Sequence, residues 1–335
     1  MNISSNNMQL PREIVVRAWQ QTLEADPVSD EENFFDAGGN SILLVEFQRR
    51  ISDELDFKIP LREIFRDPTV AGLSGRIAAL AAKGCPPVTG HASNQALNLY
   101  CLPYAGCSAR VYDVWQAGLP DSINVVPLEL PGRGSRCTDP PLDTLPELLR
   151  DLTRGVNAEA RAPYAVFGHS FGAIIAYELT RYVVSQGYPG PQSLIVSACR
   201  APHLATPEEA IFDRSDEDFK RGLRKVGGTP EELLENDELM ELYIPVIRAD
   251  YTILDNYRRD PVQDVNCPIL GLYGDADSDA DKSAMSAWDA YTSGSFSLEP
   301  IKGDHFFLDD ATEHVIQRVG AHLNDHVADS ASTTG

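Results

Sequence analysis

The sequence predicts two folds in one chain. Residues 10–80 form a small all-α bundle of four helices. Residues 97–326 form an α/β domain with a mostly parallel sheet, helices on both faces and a helical insert. Three observations carry this. Residues 10–80 show apolar spacing of helical period and no strand-like run. From Leu97 onward short apolar strands alternate with amphipathic stretches, which demands a parallel sheet covered on both faces. At Tyr164–Gly172 a buried strand turns through Gly168-His169-Ser170-Phe171-Gly172 into a helix, the context of a nucleophile elbow. With 335 residues and 43% hydrophobic composition, the chain is long enough for about two domains with full cores.

Taken in order, Met1–Gln9 is polar and expected to be disordered. Leu10-Pro11 opens a helix with Ile14, Val15, Ala18, Trp19 and Leu23 on its apolar face. Ser29-Asp30-Glu31-Glu32 has the capping-box pattern. After Asp36-Ala37-Gly38-Gly39-Asn40-Ser41 a helix continues with Ile42, Val45 and Phe47. A short piece holds Leu61, Ile64 and Phe65, and Thr69 begins the last helix. The polar stretch 81–96 reads as a linker. Strands are expected at Leu97–Leu102, Ile123–Leu130, Tyr164–Phe167, Ser193–Ala198, Ile269–Tyr273 and Phe296–Ile301. Helices are expected at about 146–156, 171–182 and 312–323. The insert at about 202–261 contains Thr206-Pro207-Glu208-Glu209 and Thr229-Pro230-Glu231-Glu232, both capping boxes, and then a long amphipathic stretch. An insert of this size between core strands suggests a lid. The tail 327–335 is small and polar, and is expected to be disordered.

The formal net charge is -22, from 50 acidic and 28 basic residues. That field repels nucleic acid and anionic membranes and excludes both as partners. Six cysteines without metal-ligand spacing suggest reduced thiols, no metal site and a cytoplasmic protein. No signal-like segment or long apolar run is present.

Ser170 is the candidate nucleophile. A serine hydroxyl needs a base beside it, and hydrolases of this architecture supply the triad in the order Ser, Asp or Glu, His. His305, in the loop after the last strand, is the candidate base. Asp277 is the candidate orienting carboxylate, being deeper in the loop after Leu270–Tyr273. Asp275 is the alternative, and otherwise caps the turn. The other histidines fit solvated or structural roles. The oxyanion needs preorganised N–H donors. Phe171 N–H should be one, and Ala105 N–H, in the loop after the first strand, the other.

Two resemblances sharpen this reading. Asn33–Ile42, with its Gly38-Gly39-Asn40-Ser41, and Asp67-Pro68-Thr69-Val70 resemble a peptidyl carrier protein of non-ribosomal peptide synthetases. The resemblance implies a 4′-phosphopantetheine arm on Ser41; an exposed hydroxyl at a helix start suits a phosphate, although serine also caps helices there. Five stretches resemble a type II thioesterase in the α/β-hydrolase fold. They are Leu102–Gly106, Glu129–Arg133, Gly168–Gly172, Gly227–Pro230 and Gly303–Phe307. Cys107 departs from the pattern where a second glycine is usual, and the fused carrier is unusual. The implied activity is hydrolysis of acyl, aminoacyl or peptidyl thioesters from a carrier arm. The implied partners are a thioester on its own or a neighbouring carrier, a phosphopantetheinyl transferase and other synthetase modules. Two alternatives stand beside it: a chain-terminating thioesterase releasing an acid or macrocycle, and an inert carrier-docking protein.

Overall fold

A computed structural model describes residues 6–23, 25, 29–34, 37–38, 41–55, 64, 68–82, 97–156, 163–204, 215–229, 231–257 and 262–332. The chain divides into two compact units, Met1–His91 and Ala92–Gly335.

In the first unit α1 spans Asn6–Leu23, α2 Ser41–Leu55 and α3 Val70–Ala82. The helix therefore begins at Asn6, inside the stretch expected to be disordered, and carries Pro11 within it. Ile64 is helical and buried, while the rest of the 60–65 piece lies outside the described residues. The apolar face read from α1 is the core face: Ile14, Val15, Ala18 and Trp19 are buried with Phe34, Phe47, Ile51 and Leu73. Trp19 meets Phe34 and Phe47 edge-on, with centroids 5.4 and 6.1 Å apart, and the two phenylalanines stack at 4.8 Å. Each such pair contributes about 0.5–1.5 kcal/mol beyond its burial. The capping-box pattern at Ser29 forms a turn instead of a helix start. Glu32 N–H donates to Ser29 O at 3.2 Å, and Phe34 N–H and Ala71 N–H bond Pro68 O and Asp30 O. Those bonds, with the antiparallel bridge of Asn33 to Thr69, hold the turn against the start of α3. The Asp30 carboxylate is engaged by Arg12 at 2.7 and 2.8 Å.

The second unit alternates strands and helices. The strands are β1 Leu97–Leu102, β2 Ile123–Pro127, β3 Tyr164–His169, β4 Ser193–Ser197, β5 Ile269–Gly274 and β6 Phe296–Ile301. Among them run α4 Leu145–Gly155 and α5 Phe171–Ser185. All pairings are parallel, in the order β2-β1-β3-β4-β5-β6. Every residue of β3 and β4 is buried, as a central parallel strand requires. Alternate side chains serve two cores. Tyr100, Leu102 and Val166 pack with Leu148, Ile175 and Tyr177 on one face. Leu99, Cys101 and Phe167 pack with Trp115, Val315 and Val319 on the other. The chain winds one way from β1 to β2 and the other way from β3 onward. Sites in such sheets form at the carboxyl ends of the strands flanking that reversal, here β1 and β3.

Between β4 and β5 lie α6 Asp216–Val226, α7 Glu231–Leu234 and α8 Asp237–Asn256. Helix α6 was not foreseen. Ser215 caps it by accepting from Asp218 N–H at 3.2 Å. The Thr206 box lies outside the described residues, and the Thr229 box leads into α7. The three helices share a small core of Phe219, Leu223, Leu234, Met240, Ile244 and Ile247. Helix α3 runs through 81–82, the first two residues of the expected linker at 81–96, and 83–96 lie outside the described residues. The closing helices are α9 Lys282–Ser286, α10 Phe307–Asp310 and α11 Thr312–Ser332. Helix α11 thus passes through 327–332, where disorder was expected. The segment Val-Ala-Asp-Ser-Ala-Ser contains neither Gly nor Pro to stop it. Among the described residues no helix is long and apolar enough to cross a membrane.

Candidate active site

Ser170 sits between β3 and α5 with φ 53° and ψ −117°, a conformation costing an L-residue about 1–3 kcal/mol. Its surroundings impose it. Ser170 N–H donates to Ser197 O at 2.8 Å. A Cβ on Gly168 would stand 2.1 Å from Gly172 O, and one on Gly172 would stand 2.2 Å from Leu102 O. Only glycine permits so close an approach of strand, helix and neighbouring strand. The turn lifts Ser170 Oγ to the sheet's carboxyl edge at the start of α5.

His305 follows β6, and its Nε2 lies 2.9 Å from Ser170 Oγ. Its Nδ1 lies 2.9 Å from Asp277 Oδ2. The Asp277 side chain is 1% exposed, and its Oδ1 accepts from Asp279 N–H and Ala280 N–H at 2.8 and 3.0 Å. Burial by itself raises the pKa of this carboxyl, but the hydrogen bonds from His305, Ala280 and Asp279 outweigh it, and the value is lowered. Asp275 points elsewhere: its Oδ1 accepts Gly303 N–H at 2.9 Å and braces the loop that carries His305. Of the two aspartates open in the sequence, the structure brings Asp277 to the histidine.

His169, beside the nucleophile, is fully buried. One ring nitrogen meets Ser197 Oγ and the other His305 O, each at 2.9 Å. Burial and the neighbouring His305 lower its pKa to about 3, so the ring is neutral and tethers the backbone of His305.

Phe171 is the first residue of α5, and its N–H has no intrahelical acceptor. Ala105 lies in a turn closed by Cys107 N–H on Tyr104 O at 3.0 Å. The clash that excludes a side chain at Gly172 is with Leu102 O and Pro103 O, so the first turn of α5 abuts this loop. The positive φ in the turn, +73°, belongs to Gly106. Cys107 therefore needs none of glycine's freedom. The loop is pinned at its ends: Tyr104 Oη donates to Asp309 at 3.0 Å, and Ser108 Oγ donates to Glu129 at 2.6 Å. Neither anchor was singled out in the sequence as part of the site.

Ser41 opens α2, a 15-residue helix with no acidic residue in its first turn. Unpaired backbone N–H groups at such a terminus suit a phosphodiester. Gly38, in the turn ahead, has φ +95° and nothing within 4 Å of where a Cβ would stand. The setting fits attachment of a phosphopantetheine group. Among the described residues no group of His, Cys, Asp or Glu could hold a metal ion.

An elbow serine, a histidine after the last strand and a buried aspartate on this sheet define an α/β-hydrolase fold. Residues 97–323 match the thioesterase domain family, and residues 13–77 match the phosphopantetheine attachment site family. The chain belongs to the thioesterase family: it is a thioester hydrolase preceded by a carrier segment for covalent 4′-phosphopantetheine. It is 36% identical over 232 residues to linear gramicidin dehydrogenase LgrE of Brevibacillus parabrevis, covering 68% of this chain and 88% of that one. The turn after β1, Pro-Tyr-Ala-Gly-Cys-Ser, lacks the G-x-G-x-x-G of a dinucleotide site. It is 34% identical over 235 residues to thioesterase PikA5 of Streptomyces venezuelae, covering 69% and 83%. Among solved structures it is similar to YbtT, a type II thioesterase from the yersiniabactin NRPS/PKS biosynthetic pathway. That match has TM-score 0.60 and 32% identity, and covers 71% of this chain and 96% of that one.

Proposed function

We propose that this protein hydrolyses acyl, aminoacyl or peptidyl thioesters from a phosphopantetheine arm in non-ribosomal peptide biosynthesis, with Ser170, His305 and Asp277 as its catalytic triad. The observation that carries the reading is the continuous hydrogen-bond chain from Ser170 Oγ through both nitrogens of His305 to buried Asp277. His305 Nε2 takes the Ser170 proton as Oγ attacks the thioester carbonyl. Phe171 N–H and Ala105 N–H receive the oxyanion. The C–S bond breaks, and the thiol leaves with the proton from His305. Water then attacks the Ser170 ester, again giving its proton to His305. Collapse returns that proton to Ser170 and releases the acid. Asp277 keeps Nδ1 protonated and steadies the imidazolium, as its lowered pKa suits it to do.

The domain reading is a carrier at 10–80, a linker at 81–96, and a thioesterase at 97–326 with a lid at about 202–261. Ser41 is the attachment residue, loaded by a phosphopantetheinyl transferase. The group it receives, when attached, supplies the thiol on which an acyl chain is carried. A tether that spans the gap between two sites gives effective concentrations of about millimolar, so a weak contact between carrier and hydrolase suffices for reaction in cis. Other synthetase modules supply further carriers. A cytoplasmic setting accords with the described cysteines, all of them free thiols.

The test is acyl-enzyme trapping. With an acyl thioester of N-acetylcysteamine, peptide mapping should place the transient acyl group on Ser170, with free acid as product. Acylation elsewhere, or no turnover by the intact protein, refutes the reading. Macrocyclic products from a full-length peptide would move the assignment to chain release.

A further inference from the structure

Asp250 lies near the C-terminal end of α8, with its side chain 2% exposed. Its carboxylate accepts three hydrogen bonds. Two come from Arg133, Nη1 to Oδ2 at 2.5 Å and Nη2 to Oδ1 at 2.8 Å. The third comes from Gly106 N–H to Oδ2 at 2.8 Å. Three segments distant in sequence meet at this one group: the insert, the Pro131-Gly132-Arg133 loop after β2, and the turn that carries Ala105. The apolar packing follows the same lines. A Cβ on Gly106 would stand 2.8 Å from Ile247 Cγ1, and one on Gly132 would stand 3.2 Å from Val246 Cγ2. Residues 246, 247 and 250 lie on one face of α8, and that face seats on both loops.

The Tyr104–Cys107 turn has a positive φ at its third residue, the type II signature. In such a turn the peptide plane between the second and third residues sets the local geometry. Here that plane joins Ala105 to Gly106, and its N–H is the one bound by Asp250. Holding this plane restrains Ala105 ψ and Gly106 φ, and because Cys107 N–H closes the turn on Tyr104 O, it limits how far the preceding plane, which carries the Ala105 N–H, can rotate. The Arg133 fork in turn fixes the carboxylate in two directions.

We infer that Asp250 and Arg133 are positioning residues for the oxyanion site. They tie the seating of the insert helix α8 to the aim of the Ala105 N–H, so the donor is in place when the helix is seated. The inference rests on the proposed role of Ala105 and goes beyond it by assigning the insert a part in transition-state stabilisation.

The experiment uses the full-length Asp250→Leu/Arg133→Met double variant. An apolar pair removes both buried charges together and often preserves folding, while Gly106 N–H loses its acceptor. Turnover of an N-acetylcysteamine thioester and inhibition by an alkyl trifluoromethyl ketone, which forms a tetrahedral adduct, are measured side by side. The expected result is a fall in kcat of about 10²-fold, the cost of misplacing one oxyanion donor. Affinity for the ketone should fall by a matching factor, with KM within about twofold. Unchanged kcat and ketone affinity would overturn the inference, as would a loss in kcat without loss of ketone affinity. If the double variant does not fold, Asp250→Glu serves. It keeps the charge pair and moves the carboxylate by one methylene, and kcat and ketone affinity should again fall together; wild-type values for both overturn the inference. A wild-type protein that left the thioester intact would instead remove the enzymatic reading itself.

Discussion

Ser41 and Ser170 each stand at the start of a 15-residue helix, yet the glycines near them are packed in opposite ways. Ahead of Ser41, Gly38 has no neighbour within 4 Å of where a Cβ would stand. Around Ser170 the backbone is wedged between Gly168, Gly172 and Leu102, held at φ 53°, and faced by an imidazole at 2.9 Å. A helix N-terminus favours negative charge in both cases. On the roles proposed for them, a serine that acts as nucleophile needs the base and the enforced geometry that Ser170 has. A serine to be modified by another enzyme needs access. A serine that attacks by itself needs its proton acceptor already in place.

The sharpest way to break this contrast is to exchange the deletions. Ser170→Ala should lower hydrolysis of a small thioester by about 10⁴-fold or more, while intact-mass analysis still shows one phosphopantetheine added by a transferase. Ser41→Ala should do the reverse, losing the added mass and keeping turnover. A Ser41→Ala protein that still gained the arm would remove Ser41 from the account. Next in size are the supporting carboxylates. Asp277→Asn should lower kcat by about 10⁴-fold by favouring the wrong imidazole tautomer. Asp275→Asn keeps an amide oxygen that can accept Gly303 N–H, and should stay within about tenfold of wild type on the scale of a peripheral misplacement. Equal losses at the two positions would contradict the geometry.

Smaller effects compare the two turns as scaffolds. Gly172→Ala forces a Cβ to 2.2 Å from a backbone oxygen and should destabilise the second unit by about 3 kcal/mol or more in denaturant unfolding. Gly38→Ala meets only the penalty of its positive φ, about 1–2 kcal/mol. A further comparison is in pH. The His169 pKa is lowered to about 3 from the ordinary 6.5. Between those values the unfolded chain binds the proton and the folded one does not. His169 therefore withdraws stability as pH falls from about 6.5 toward 3. His169→Gln should flatten the Tm-against-pH curve in that window. An unaltered slope would show that another group sets it.

Strand positions and the elbow were legible in the sequence because each is a local pattern. Four apolar residues, a glycine on either side of the serine and a helical period after it need no distant partner. His305 was legible because it follows the last strand of an alternating series. Asp277 and Asp275 stayed alternatives because their separation depends on how Gly274–Asp277 turns: Asp277 N–H bonds Gly274 O, Asp275 N–H bonds Ile301 O, and the two carboxylates diverge. Helix α6 has a sequence signal, Ser215 three residues before Asp218 with Phe219 and Leu223 one turn apart, but it is weaker than the two capping boxes in the same insert. The Asp250–Arg133–Gly106 junction had no local signal. Its members are 117 and 27 residues apart, and no period or spacing links them. The polar ends also misled, since 6–9 and 327–332 are polar but contain no helix breaker.

The central claim is that one serine carries the acyl group and the other removes it. The direct measurement is single turnover of the intact protein with an acyl group loaded on Ser41, followed by mass against time over a range of protein concentrations. The account predicts first-order loss of the acyl mass at a rate independent of protein concentration, release of the free acid, and retention of the acyl mass in Ser170→Ala. A rate that rose with protein concentration would contradict action in cis. Loss at the wild-type rate in Ser170→Ala would contradict the account as a whole.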